Sequence, residues 1–164
     1  KKKYLDKKFI FYNSGFNLRP TEISAAIGNS QFKDLDRLIS LRNKNRDLIV
    51  SALEKNNKIK RNLKFIEKNS NTKPSWFGIP VLLNKSLNKK KFLKKIERSG
   101  IETRPIISGN FINQPSVRKY KLHNGKKFPN SEIINNQGFF MGLPTNKLNK
   151  KFINKIVKIF EKNL

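Results

Sequence analysis

Two arginines and a few side-chain amides are the residues of this chain whose types and spacing could do chemistry. Asn17 and Arg19 close an aromatic run from Phe9 to Phe16 and stand just before Pro20. Proline suits a first helical turn, where its missing N–H would have had no partner, so a helix is predicted to open at Pro20. Asn17 and Arg19 then fall where a chain end and polar side chains converge, a usual place for an anion. An ordinary helix start is the other reading. Arg19 and Arg104 each offer a forked set of donors suited to a diphosphate or a carboxylate. Arg104 equally fits a surface arginine on a strand edge. The amides of Asn110 and Gln114 can both donate and accept, either to a polar ligand or as loop caps. His123 is the single histidine. It lies in a lysine-rich stretch and reads as exposed rather than catalytic. No Ser/His/Asp set, phosphate-loop motif or metal-ligand spacing is present.

These residues need elements to hold them. From Pro20, Ile23, Ile27, Leu35, Leu38, Ile39, Leu48, Ile49, Ala52 and Leu53 recur near helical spacing. This is one long helix or two with a bend near Gly28 to Ser30. Ala25, Ala26 and Gly28 give it a smooth face. A glycine inside a helix costs about 1 kcal/mol against alanine, which points to close packing there. Residues 56–74 are polar and read as a loop with at most one short strand. Ser75–Leu83, Ile101–Ile107 and Gly138–Pro144 read as strands. Pro80 argues for an edge position or a bulge in the first of them. Asn88 and Asn149 are predicted N-caps, Gly100 a helix stop, and Pro115 and Pro129 the openings of short helices. The last helix carries Phe152, Ile153, Ile156, Val157 and Phe160 on one stripe, predicted to pack on the sheet. Trp76 reads as core rather than as a stacking platform. The expected fold is α/β, with a sheet of about three strands covered by helices on one face.

The 164 residues carry a formal charge of +26 and no cysteine. Without cysteine the chain offers no disulfide, thiolate metal site or cysteine nucleophile, which fits a cytoplasmic setting. No apolar run approaches the roughly 20 residues of a membrane span, and no signal peptide opens the chain. The charge raises a rival class, a basic nucleic-acid-binding module. Against it, the excess is mostly lysine while groove readers lean on arginine. The basic residues are also spread along the chain rather than gathered in one patch. Asn, Ile and Phe, which share A/T-rich codons with Lys, are abundant too.

The stretch Gly15-Phe-Asn-Leu-Arg-Pro-Thr-Glu-Ile-Ser-Ala-Ala-Ile-Gly-Asn-Ser-Gln-Phe32 resembles a signature block of the DegT/DnrJ/StrS family of pyridoxal-phosphate (PLP) enzymes, which act on nucleotide-linked keto-sugars. Ser75-Trp-Phe-Gly-Ile-Pro80, Ile101-Glu-Thr-Arg-Pro-Ile-Ile-Ser-Gly-Asn-Phe-Ile-Asn-Gln-Pro115 and the segment from Pro129 to Gly142 resemble later blocks of the same family. The resemblance runs from about Asp6 to the end. It implies the C-terminal part of a fold-type I PLP enzyme. Residues 1–55 would be the interdomain loop and helical segment, and 56–164 the small α/β domain. The cofactor-attachment segment and most of the cofactor domain would lie upstream. Catalytic residues are accordingly not expected within this segment.

The Gly109-Asn110 form resembles the 3-dehydrases, which make 3-deoxy sugars from 4-keto-6-deoxy sugar nucleotides with pyridoxamine phosphate (PMP). Nucleotide-sugar amination within the family is the alternative. Either activity would serve deoxysugar or surface-polysaccharide biosynthesis, lipopolysaccharide included. The resemblance implies that Asn17 reaches across a homodimer interface to the phosphate of the partner's PLP or PMP. It implies that Arg19 and Arg104 meet the sugar nucleotide's diphosphate and that Asn110 and Gln114 meet its hydroxyls. One dehydrase type carries an iron–sulfur cluster on cysteines just before the present start, and that cofactor is left open.

Overall fold

The computed structural model describes residues 5, 9–16, 18–123 and 125–164. The helical segment is two helices, α1 (Glu22–Phe32) and α2 (Leu35–Glu54). Thr21 is the N-cap of α1, its hydroxyl accepting from Ser24 N at 3.4 Å. Pro20 therefore stands before the cap, outside the first turn where it was expected. The break also differs from the expected Gly28–Ser30 bend and falls at Lys33 and Asp34. Asp34 favours a helix start, and its carboxylate there accepts from Arg37 Nε and Nη2 at 3.2 and 3.1 Å. Gly28 lies undisturbed inside α1, and a Cβ added to it would meet nothing within 4 Å.

The polar stretch after α2 was read as loop, but it begins with a helix, α3 (Asn57–Asn62). Asn56 caps it, accepting from Lys58 N and Ile59 N. The helix places Ile59 in the core with no exposed surface. β1 (Leu63–Phe65) follows directly. The remaining elements are β2 (Gly78–Leu83), α4 (Lys89–Arg98), β3 (Thr103–Arg104), α5 (Pro115–Lys119), α6 (Pro129–Gln137), β4 (Gly138–Gly142) and α7 (Lys150–Asn163). Asn88 and Asn149 cap α4 and α7 as their sequences predict, accepting from Lys91 N and Phe152 N. Gly100 ends α4 with φ 91°, a conformation glycine adopts without strain.

The sheet has four strands rather than three, in the order β1-β2-β4-β3, every pair antiparallel. β2 is thus interior, against the edge position Pro80 suggested. The local reason survives in the register. β1 ends at Phe65 opposite Val81, so Pro80 has a partner only on its β4 side, where it faces Phe140. β3 keeps two residues of the strand expected over 101–107, because Pro105 cannot donate to a ladder.

Alternation along β2 and β4 turns Ile79, Val81, Leu83, Phe139 and Met141 to one face. Helices α2, α4 and α7 cover them with Ile49, Leu53, Phe92, Ile96, Ile156 and Phe160. The stripe on α7 packs as expected except at its start, where Phe152 is 41% exposed. Ile49, Val50 and Leu53 of α2 share this core, so packing is continuous across the division expected at residue 55. Trp76 packs against the core's margin with the Arg46 guanidinium 5.0 Å from its ring centre.

Candidate ligand-binding edge of the domain

The segment from Gly109 to Tyr120 is where most of the sequence-predicted polar residues meet. Gly109 has φ 66°, and a Cβ there would collide with Asn135 Oδ1. Only glycine satisfies both conditions. This turn delivers Asn110 into a nearly sealed position, 3% exposed. Asn110 Nδ2 donates to Glu132 Oε2 at 2.8 Å, and Asn113 Nδ2 donates to the same oxygen at 3.1 Å. Asn136 Nδ2 donates to Glu132 Oε1 at 3.3 Å. One carboxylate thus gathers three amides and ties the Gly-Asn loop to α6. Bonds to an ionised acceptor are the stronger kind, roughly twice neutral ones. Sequence reasoning misses Glu132 because the partners that make it a brace for the loop, Asn110 and Asn113, lie about twenty residues away. Its fixed place two residues after Asn130 in the family-like segment was the available signal.

Gln114 is more deeply buried still, at 1% exposure. Its Oε1 accepts from Phe11 N at 3.0 Å and its Nε2 donates to Phe9 O at 3.1 Å. Ser116 N donates to Phe11 O at 2.9 Å. The side-chain amide therefore acts as a rung of backbone for the extended arm of residues 9–14. Of the two expected roles, the capping one describes its observed bonds. Tyr120, at the end of α5, accepts at its phenol oxygen from Ser14 Oγ at 3.1 Å and Ser14 N at 3.3 Å. Those two bonds, with a smaller contribution from nearby Lys119, hold its pKa below the usual 10.0. Lys119 Nζ also bonds Asn13 Oδ1.

Past Ser14 the arm leaves the domain. Phe16 and Leu18 are 96% and 83% exposed, and Arg19 is exposed as well. Asn17 lies outside the described residues. Arg104, on the edge strand β3, is about half exposed and bonds Glu102 Oε1 through Nε and Nη2 at 3.1 and 2.9 Å. A pair this exposed contributes about 0–1 kcal/mol, so the guanidinium can exchange that carboxylate for another anion. Arg104 borders an open cleft of about 590 Å³ with Lys89, Lys90 and Lys94, over a floor that includes Leu93, Phe9 and Pro105. Phe9 also lines the small crevice next to Gln114 and Gly109, so it joins the two halves of this edge. His123 is exposed, its ring 6.3 Å from Phe128. Among the described residues no group of three His, Cys, Asp or Glu could hold a metal ion. No described helix is long and apolar enough to cross a membrane.

This edge combines the braced loop with a cleft where Arg104, Lys90 and Lys94 stand beside the carboxylates of Glu97 and Glu102. The DegT/DnrJ/EryC1/StrS aminotransferase family model matches residues 1–161, and the chain belongs to that family. The GDP-4-keto-6-deoxy-D-mannose 3-dehydratase of Escherichia coli O55:H7 is 33% identical over 143 residues, covering 84% of this chain and 34% of that protein. The lipopolysaccharide biosynthesis protein RfbH of Salmonella typhimurium is 28% identical, covering 84% of this chain and 31% of that protein. The solved structure of the E. coli GDP-4-keto-6-deoxy-D-mannose-3-dehydratase with bound hydrated PLP superposes with a TM-score of 0.74 at 29% identity, over 94% of this chain and 39% of that one. The chain thus spans about a third of the length of the curated relatives it matches, and its fold is that of part of a PLP enzyme.

Proposed function

We propose that this chain is the C-terminal portion of a PLP- or PMP-dependent enzyme that removes the 3-hydroxyl of a nucleotide-linked 4-keto-6-deoxy sugar. The observation that carries this is similarity to a GDP-4-keto-6-deoxy-D-mannose 3-dehydratase over 84% of the chain, the braced Gly109-Asn110 loop included. The whole enzyme is read as a cytoplasmic homodimer with shared active sites, serving deoxysugar or lipopolysaccharide synthesis. The bound cofactor supplies the electron sink for the reaction.

This chain's residues supply binding. Arg19 and Arg104 are assigned to the diphosphate, where a guanidinium can donate two parallel bonds. Asn17 is assigned to the cofactor phosphate in the partner subunit's site, where an amide donates without adding charge. Asn110, fixed by Glu132, shapes the loop that faces the sugar. The lysine-rich surface adds a field that draws a doubly charged diphosphate toward the edge.

The test uses the full-length protein with PLP, glutamate and a panel of GDP- and dTDP-linked 4-keto-6-deoxy sugars, with products read by mass spectrometry. A 3-deoxy-4-keto sugar is expected. A 4-amino sugar would replace this reading with the amination alternative. Turnover of neither kind, together with tight binding to random DNA that falls steeply with salt, would favour the nucleic-acid class.

A further inference from the structure

We propose that Gln114 and Tyr120 are positioning residues, which clamp the arm of residues 9–14 and so fix the point from which the run carrying Asn17 and Arg19 departs. The inference rests on the functional reading above, and it assigns Gln114 a place different from the sugar contact its sequence context implied.

The geometry has three parts. Gln114 is buried and both ends of its amide are engaged, one with Phe11 N and one with Phe9 O. A residue in that state binds the arm's backbone through both ends of its amide. Ser116 N on Phe11 O adds a third bond to the same stretch. Tyr120 supplies the last anchor, at Ser14.

Beyond Ser14 the chain has little else to hold it. The described residues from Gly15 to Lys33 are all exposed, and α1 buries none of its residues. Arg19 stands five residues past the last anchor. An unanchored run of that length spans up to about 17 Å, ample to lose a ligand contact. The clamp therefore sets how much conformational freedom binding must remove, the usual route by which preorganisation raises affinity. Tyr120 sits partly exposed at the end of its helix, so changing its hydroxyl disturbs the clamp and not the core.

The test compares wild type, Tyr120→Phe and Gln114→Glu in the full-length enzyme. Gln114→Glu keeps the acceptor for Phe11 N and removes the donor to Phe9 O, at nearly constant shape. Two readouts are taken: hydrogen exchange at the amides of Phe11 and Ser14, and the dissociation constant for PLP. Faster exchange at Phe11 in Gln114→Glu and at Ser14 in Tyr120→Phe is expected. PLP affinity should fall about tenfold in either variant, the scale of one lost bond to a charged group. In an Asn17→Ala background the same changes should leave PLP affinity almost unmoved, because residues acting through one contact are not additive.

Faster exchange with unchanged PLP affinity would overturn the positioning role and leave only a structural strap. Lower affinity with unchanged exchange would overturn it in favour of direct ligand contact by Gln114. Full additivity with Asn17→Ala would do the same. A wild-type enzyme that retains no PLP would defeat the functional reading instead. The exchange rates would then decide the clamp alone, and unchanged rates at Phe11 and Ser14 would overturn it.

Discussion

Helices α1 and α2 follow one another with two residues between them, and they are built to opposite ends. α2 buries Asn45, Arg46, Ile49, Val50 and Leu53. α1 buries nothing, and its Ile23, Ile27 and Phe32 are 74%, 55% and 71% exposed. Both carry apolar residues near helical spacing, so periodicity alone cannot separate them. The difference is what each stripe meets. Leu53 and Ile49 have a sheet and two helices to pack on, whereas Ile23 and Ile27 stay mostly exposed among the described residues. The smooth stretch of Ala25, Ala26 and Gly28 adds to the contrast, since among the described residues a Cβ on Gly28 would meet nothing within 4 Å. Exposed apolar side chains gathered on one helix are the kind of patch that marks an interaction site.

Substitutions can break or sharpen that contrast. The largest effect is expected for Leu53→Ala, a fully buried leucine. Urea denaturation of the 164-residue chain should show a loss of about 2–5 kcal/mol. A loss below about 1 kcal/mol would mean the α2 core is looser than its packing indicates. Asn45→Ala comes next. Asn45 is buried and its Nδ2 donates to Pro144 O and Asn146 O, both at 2.8 Å. Removing the amide leaves two carbonyls without that donor and should cost about 1–3 kcal/mol in the same assay. The smallest effect is expected for Ile27→Ala, within about 0.5 kcal/mol of wild type in this chain. In the full-length protein the same change should cost about 2 kcal/mol or more if α1 is covered there. An equally small effect in both would show that the stripe on α1 meets nothing in either.

What the sequence made legible was local. Asn88, Asn149, Pro115 and Pro129 each open a helix where their chemistry says they should. Three strands were readable from their apolar runs. What escaped depends on partners distant in sequence. α3 is a single buried isoleucine on an otherwise polar turn, too little for a periodic signal, although its Asn56 cap was in view. Pro80 in an interior strand makes sense only once β1 is known to stop at Phe65. The candidate site divides the same way. The arginines were found by residue type, and they are exposed and available. The amides were found too, but their present partners, Glu132 for Asn110 and the arm backbone for Gln114, are set by tertiary contacts. Asn17 lies outside the described residues, so its role rests on the family resemblance.

The two ends of the sheet carry a consequence for how this chain behaves in a crowded solution. Its edge strands are three and two residues long, and each presents an exposed cation, Lys64 on β1 and Arg104 on β3. Pro105 closes the second. An incoming strand would find a template too short and too charged to extend into a shared ladder. Aggregation through backbone pairing is thereby discouraged. Any self-association of this chain should run instead through the side chains of α1, and should weaken when Ile23 or Ile27 is made polar.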